Sequence, residues 1–185
     1  MDKAKEILLS QGAFYVDETA ALLTRGGGKL LVEKTMRNIA ADGDRGPVKG
    51  RVSIDDMTVK LEMNILEVLV EDLDQLYVGV KKDETQTDRV SYTGKFDIDD
   101  SEYKTVKWVG KTKTGKPIQI NIMNAINTEN IDWTLVEKGE IISKLTYVGH
   151  YEEGSEEVPY KVTFGKAKGT DLNTATTSNA QEEGA

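Results

Sequence analysis

The sequence predicts a mainly β protein of the α+β kind, an antiparallel β-sandwich or barrel flanked by one α-helix. Three observations carry this. Several short runs alternate apolar and polar residues with a period of two, one stretch recurs at three to four residues, and clusters of Gly, Asp, Asn and Pro separate the runs. At 185 residues the chain is long enough for one domain with a sizeable core and cramped for two. The expected division is a β domain over 1–165 and a polar tail over 166–185, where Leu172 is the one large apolar residue.

In chain order, 1–12 is a polar start with a weakly amphipathic turn at Ile7, Leu8 and Leu9, and Phe14 to Thr24 fits strand or helix equally. The triple glycine 26–28 is expected to break the chain, with a strand from Leu30 to Met36 after it. Ala41 to Pro47 is dense in turn formers, and 37–56 as a whole is expected to be a long loop. The clearest strand has Met57, Val59, Leu61, Met63 and Ile65 alternating with Thr58, Lys60, Glu62 and Asn64. The period then lengthens through Leu66, Leu69, Leu73, Leu76 and Tyr77, which predicts an amphipathic helix of about three turns ended near Gly79. Beyond a polar segment, 81–88, strands are expected at Val90–Phe96, Tyr103–Val109, Ile118–Ile122, Ile141–Tyr151 and Val158–Phe164. Turns are expected at Lys113–Lys116 and Gly154–Ser155, and Pro159 marks an edge strand or a strand start.

The chemistry available is narrow. There is no cysteine and one histidine, His150, so thiol chemistry and thiolate metal sites are excluded and a histidine-centred triad has no evident partners. The triple glycine and both Thr-Gly-Lys triplets lack the spacing of a phosphate-binding loop. Asp97, Asp99 and Ser101 have the first three spacings of a calcium loop, but Glu102 stands where it needs glycine and Trp108 where it needs a bidentate Glu. A carboxylate pair for glycoside hydrolysis is disfavoured by an aromatic content of only 6%, low for a sugar-binding cleft. Trp108 and Trp133 are expected in the core or an interface. The expectation is therefore no catalytic residue, no cofactor and no metal. A formal charge of -8 argues against a protein that grips nucleic acid. No window is long and apolar enough for a membrane helix, and the first residues lack the pattern of a secretory signal, so synthesis in the cytoplasm without a membrane partner is expected.

Charge distribution carries more information. Lys104, Lys107, Lys111, Lys113 and Lys116 crowd one expected hairpin, whereas Glu152, Glu153, Glu156 and Glu157 form an acidic block. Either both are solvated faces, or they are complementary patches that set the register between copies of the chain.

The order of these features resembles the tail tube proteins, or major tail proteins, of long-tailed bacteriophages. It rests on the loop Asp42-Gly43-Asp44-Arg45-Gly46-Pro47-Val48-Lys49-Gly50, the regular strand Met57–Ile65, the helix expected from Leu66 to Tyr77 and the β-runs ending at Tyr160–Phe164. The loop is similar to those of phages and prophages of Gram-positive bacteria, and the resemblance covers about residues 12–165. It implies a structural virion protein, not an enzyme. Copies would form rings, six to a ring, that stack into a tube. The tube would meet a tape measure and other tail proteins and pass double-stranded DNA without holding it. It further implies residence in the virion tail, after a soluble stage in the host cytoplasm. The segments 37–56 and 81–88 and the basic hairpin are the expected ring-to-ring contacts. The alternatives are the inner tube of a contractile tail or injection particle, and a β-sandwich ligand-binding module.

Overall fold

The computed structural model describes residues 8–17, 22–66, 72–83, 85–86, 88–135 and 137–165. Its strands are β1 (Leu8–Val16), β2 (Thr24–Asn38), β3 (Val52–Ile65), β4 (Val80–Lys82), β5 (Val90–Tyr92), β6 (Lys104–Thr112), β7 (Pro117–Asn127), β8 (Ser143–Gly149) and β9 (Tyr160–Phe164). One helical turn, α1 (Leu73–Leu76), stands between β3 and β4. Seven strands form one antiparallel sheet in the order β1-β6-β7-β8-β3-β2, with β9 also paired to β7, while β4 and β5 form a separate small ladder.

The bend in β7 makes one sheet into two packed halves. Its first part, Ile118–Ile122, pairs β9, and its last residues, Ala125–Asn127, pair β8 on the same edge. The change falls at Asn124, which has φ 49, and the β6–β7 register slips at the same level, between Lys104 and Val106. A bulge at this point turns the strand, and asparagine enters the left-handed region more readily than most residues. His150 secures the corner: its backbone N–H donates to the Asn124 carbonyl at 3.0 Å, its Nδ1 lies 3.3 Å from the same oxygen, and its ring stands edge-on to Tyr103. The histidine therefore has a structural task just past the end of β8.

The core fills the space between the halves. Phe14, Val16, Val106 and Ile122 face Val59, Leu61, Met63, Leu145 and Tyr147, all nearly inaccessible. Each such side chain contributes about 1.5–3 kcal/mol through removal from water. Leu73, Leu76, Tyr77 and Val80 add to the same cluster. Asn127 ties α1 to the sheet: its Nδ2 donates to the Leu76 carbonyl at 2.8 Å, while its Oδ1 accepts from the N–H groups of Thr146 and Glu129.

The fold class matches the expectation, but several elements differ. Of the helix expected from Leu66 to Tyr77, the described part is one turn, Leu73–Leu76, with Ile65 still paired to Ser143 in β3 and Tyr77 already extended; 67–71 lie outside the described residues. The triple glycine does not end a strand. It lies inside β2, where Gly26 and Gly27 take positive φ and the register slips between Thr24 and Gly28. Within 37–56 the loop is confined to 39–51, and its two flanks, 37–38 and 52–56, belong to β2 and β3. The start, expected to be polar and turn-like, is strand from Leu8, which settles the strand-or-helix question at Phe14 in favour of strand. The run expected from Val90 to Phe96 stops at Tyr92. The turns at Lys113–Lys116 and Gly154–Ser155 are present, and Pro159 stands just before β9. The tail from 166 lies outside the described residues.

Candidate assembly surfaces

The longest hairpin extends past the body of the domain. β8 pairs β3 only from Val59 to Ile65, so Val52–Thr58 and their β2 partners, Glu33–Asn38, continue as a two-stranded arm of roughly 23 Å at the usual rise per residue. Ile39 N–H donates to the Arg51 carbonyl at 2.8 Å, and Asp44 accepts from both Ala41 N–H and Arg51 Nη1 at 2.8 Å, so the tip is closed.

A bulge decides what the arm presents. Thr35 opposes Asp56 but Met36 opposes Ile54, leaving Asp55 as the extra residue. Without that slip, Asp55 and Ser53 would continue the face of Val59 and Met57. With it, Ile54 and Val52 do, opposite Met36 and Asn38. The apolar inner face of the body is thus prolonged along the arm through Val32, Met57, Met36, Ile54 and Val52, with Lys34 and Asn38 interspersed on the same face. Here it is open: Met36 is 58% exposed and Ile54 52%. The opposite face is polar and paired within the arm, with Arg37 Nε on Asp55 and Lys60 Nζ on Glu33, both at 2.8 Å. The Lys60 ammonium bonded to Glu33 holds that carboxyl below its ordinary value.

A second opening lies between the outer edges of the sheet. Among the described residues, a single backbone bridge, Phe14 with Leu22 just before β2, joins β1 to this segment, Leu22 N–H donating to the Phe14 carbonyl at 2.9 Å. Beyond it they diverge around a cleft of about 690 Å³ lined by Gly12, Gly26–Gly28, Leu30 and Trp108. The half-sheet's inner face continues past the cleft to Val162 and Phe164, the latter 71% exposed. A third apolar patch, Tyr92, Phe96 and Ile98, follows the β4–β5 ladder. Asp97, Asp99 and Ser101 lie beside it, with Asp99 bonded to Lys95 at 3.3 Å, and no metal-binding cluster of His, Cys, Asp or Glu occurs among the described residues.

The expected charged residues divide. Lys107 and Lys111 lie on the outward face of β6, and Lys113 and Lys116 in the turn that follows. Lys104 stands apart at the start of β6, 3.7 Å from Asp17, opposite Ala125. Glu152, Glu153, Glu156 and Glu157 are exposed in the loop between β8 and β9, where Ser155 N–H donates to the Glu152 carbonyl. The arm's apolar stripe was missed in the sequence, because Val52 and Ile54 stand one residue out of phase with the alternation of Met57–Ile65, in a segment expected to be loop. Trp108 packs against the core cluster and Trp133 is 37% exposed. In comparisons with known proteins, no family model and no curated sequence matches this chain.

Proposed function

We propose that this chain is a structural subunit that works by binding copies of itself, and that its class is the tail tube protein of a long-tailed phage. In that role it forms stacked rings around a channel for DNA, resides in the virion tail, and meets the tape measure and the neighbouring tail proteins. The observation that carries the proposal is the arm. A two-stranded hairpin alone is marginal in water, and this one exposes a row of large apolar side chains kept in line by a bulge. A neighbouring copy laid against that row would cover it. Among the described residues β1 and β2 are the outer strands of the sheet path, which supports the same reading, since an edge strand offers backbone groups to another strand. No catalytic role is assigned to any residue.

The test is the double variant Met36→Lys/Ile54→Glu, which removes the apolar pair and leaves opposite charges facing each other across the two strands. Both positions are solvent-exposed in the single chain, so its thermal unfolding should stay within about 0.5 kcal/mol of the parent. In negative-stain micrographs and sedimentation, the parent should form rings or tubes at high concentration and the variant should remain monomeric. A parent that stays monomeric under all salt conditions, or a variant that assembles normally, overturns the proposal.

A further inference from the structure

The β7 register brings together a basic surface that spacing along the chain does not reveal. Lys107 on β6 and Lys161 on β9 both oppose Asn121, so the three side chains form one row across the outward face, the lysines roughly 10 Å apart at two strand spacings. Lys111 lies on the same face two pleat repeats further on, and the Lys113–Lys116 turn extends the positive charge past the strand ends. The neutral positions between them are Val109, Gln119 and Thr163. Among the described residues, these outward positions of β6, β7 and β9 include no carboxylate, in a chain of net charge -8. Gln119 gives its amide nitrogen to Asn121 at 2.8 Å, and its shielded Oε1 meets no donor there.

The complementary surface is on the same molecule but pointed elsewhere. Glu152, Glu153, Glu156 and Glu157 project from a loop whose ends are fixed at Gly149 and Tyr160, beside Ala125 and Ile122. The Lys113–Lys116 turn is at the other end of the ladder, where Phe164 opposes Ile118 and Gly165 N–H donates to the Pro117 carbonyl. Turns at Glu152–Ser155 and Ser155–Glu157 shape the loop, and Asn124 Nδ2 donates to Glu152 Oε1 at 3.5 Å, which holds its start at the corner of β7.

We infer that the acidic β8–β9 loop of one copy docks on the basic β6–β7–β9 face of a second copy, which gives the assembly a head-to-tail direction. The inference rests on the self-assembly reading and adds to it which surfaces meet. It replaces Lys104, held at Asp17, with Lys161 as a member of the basic set. The contact is heterologous, so it closes into a ring or continues as a filament according to its rotation.

The test uses the native chain. Equal amounts of unlabelled and 15N-labelled protein are mixed at low salt, treated with a carbodiimide that joins a lysine to a carboxylate in direct contact, and digested for mass spectrometry. Mixed-isotope links should join Lys107, Lys111 or Lys161 to the 152–157 loop, and their yield should fall at least about tenfold in Lys111→Glu/Lys161→Glu. Exchanging the charges on both sides, by adding Glu153→Lys/Glu156→Lys to that variant, should restore assembly. Tubes in the micrographs without such links, or with the loop linked to other lysines, overturn the docking and leave the assembly reading in place. Links without tubes or rings support the docking and remove the tube.

Discussion

Replacing Gly28 with alanine tests how tightly β1 closes against β2. The structure leaves no space for a methyl group there: an added Cβ would lie 2.3 Å from the Glu62 carbonyl oxygen and 2.5 Å from Cζ of Phe14. The oxygen is backbone in the adjacent strand and cannot rotate away, and the Phe14 ring is buried at 3% exposure. Relief therefore requires β2 to part from β3 or Phe14 to leave the core. Overpacking of this kind costs about 1–3 kcal/mol. At about 2–4 °C per kcal/mol for a chain of this length, the melting temperature should fall by roughly 2–12 °C. Gly27→Ala is the internal control. Nothing lies within 4 Å of its added Cβ, but φ is 74, so the cost is backbone strain of about 1–2 kcal/mol, and Gly27→Asn should recover part of it. Thermal and urea unfolding of the three variants at a concentration where the parent is monomeric would measure both. If Gly28→Ala melts with the parent, or if asparagine fails to improve on alanine at 27, the close approach or the left-handed backbone is not what holds this region.

Other perturbations have equally definite outcomes. Asn127→Ala removes one donor and one acceptor from buried backbone partners and should destabilise the monomer by about 2–4 kcal/mol, seen as a lower urea midpoint with an unchanged m-value. Asn124→Gly should leave stability close to the parent's, whereas Asn124→Val should lower it by about 2 kcal/mol or more, since a β-branched residue resists positive φ. Glu129 accepts from the Thr146 hydroxyl at 2.6 Å and Lys144 at 3.0 Å, and these partners hold its carboxyl below its ordinary value. Because the folded value is the lower one, its stabilisation is present above the unfolded carboxylate range and lost as pH falls through the folded value. Glu129→Gln should therefore destabilise at neutral pH, by up to about 1 kcal/mol, and flatten the acid limb of the stability profile.

Much of the β architecture can be followed from residue type alone. Runs such as Met57–Ile65 and Ile118–Ile122 alternate because one face of each strand must leave water, and that demand is local. The glycine of the Lys113–Lys116 turn has φ 82, a conformation glycine adopts without steric cost, so that turn was legible too. The first residue of the helical period was misplaced for a related reason. Apolar residues at 65, 66, 69, 73 and 76 satisfy a helical period, yet Ile65 is claimed by its cross-strand partners, Thr24 and Ser143. A pairing between residues tens of positions apart leaves no trace in a local period.

The same distinction runs through the candidate site. The sequence by itself determined that the chain is β-rich and acidic, without thiols and with one imidazole, and that its lysines and glutamates fall in separate blocks. Tertiary structure alone decided that β7 turns at Asn124, that the slip at Asp55 keeps Ile54 on the apolar side of the arm, and that Lys161 shares a row with Lys107 while Lys104 does not. Composition and periodicity act between near neighbours in the chain. Which face a side chain joins, and what lies beside it, depends on strand register, and register is chosen by the packing of the whole sheet.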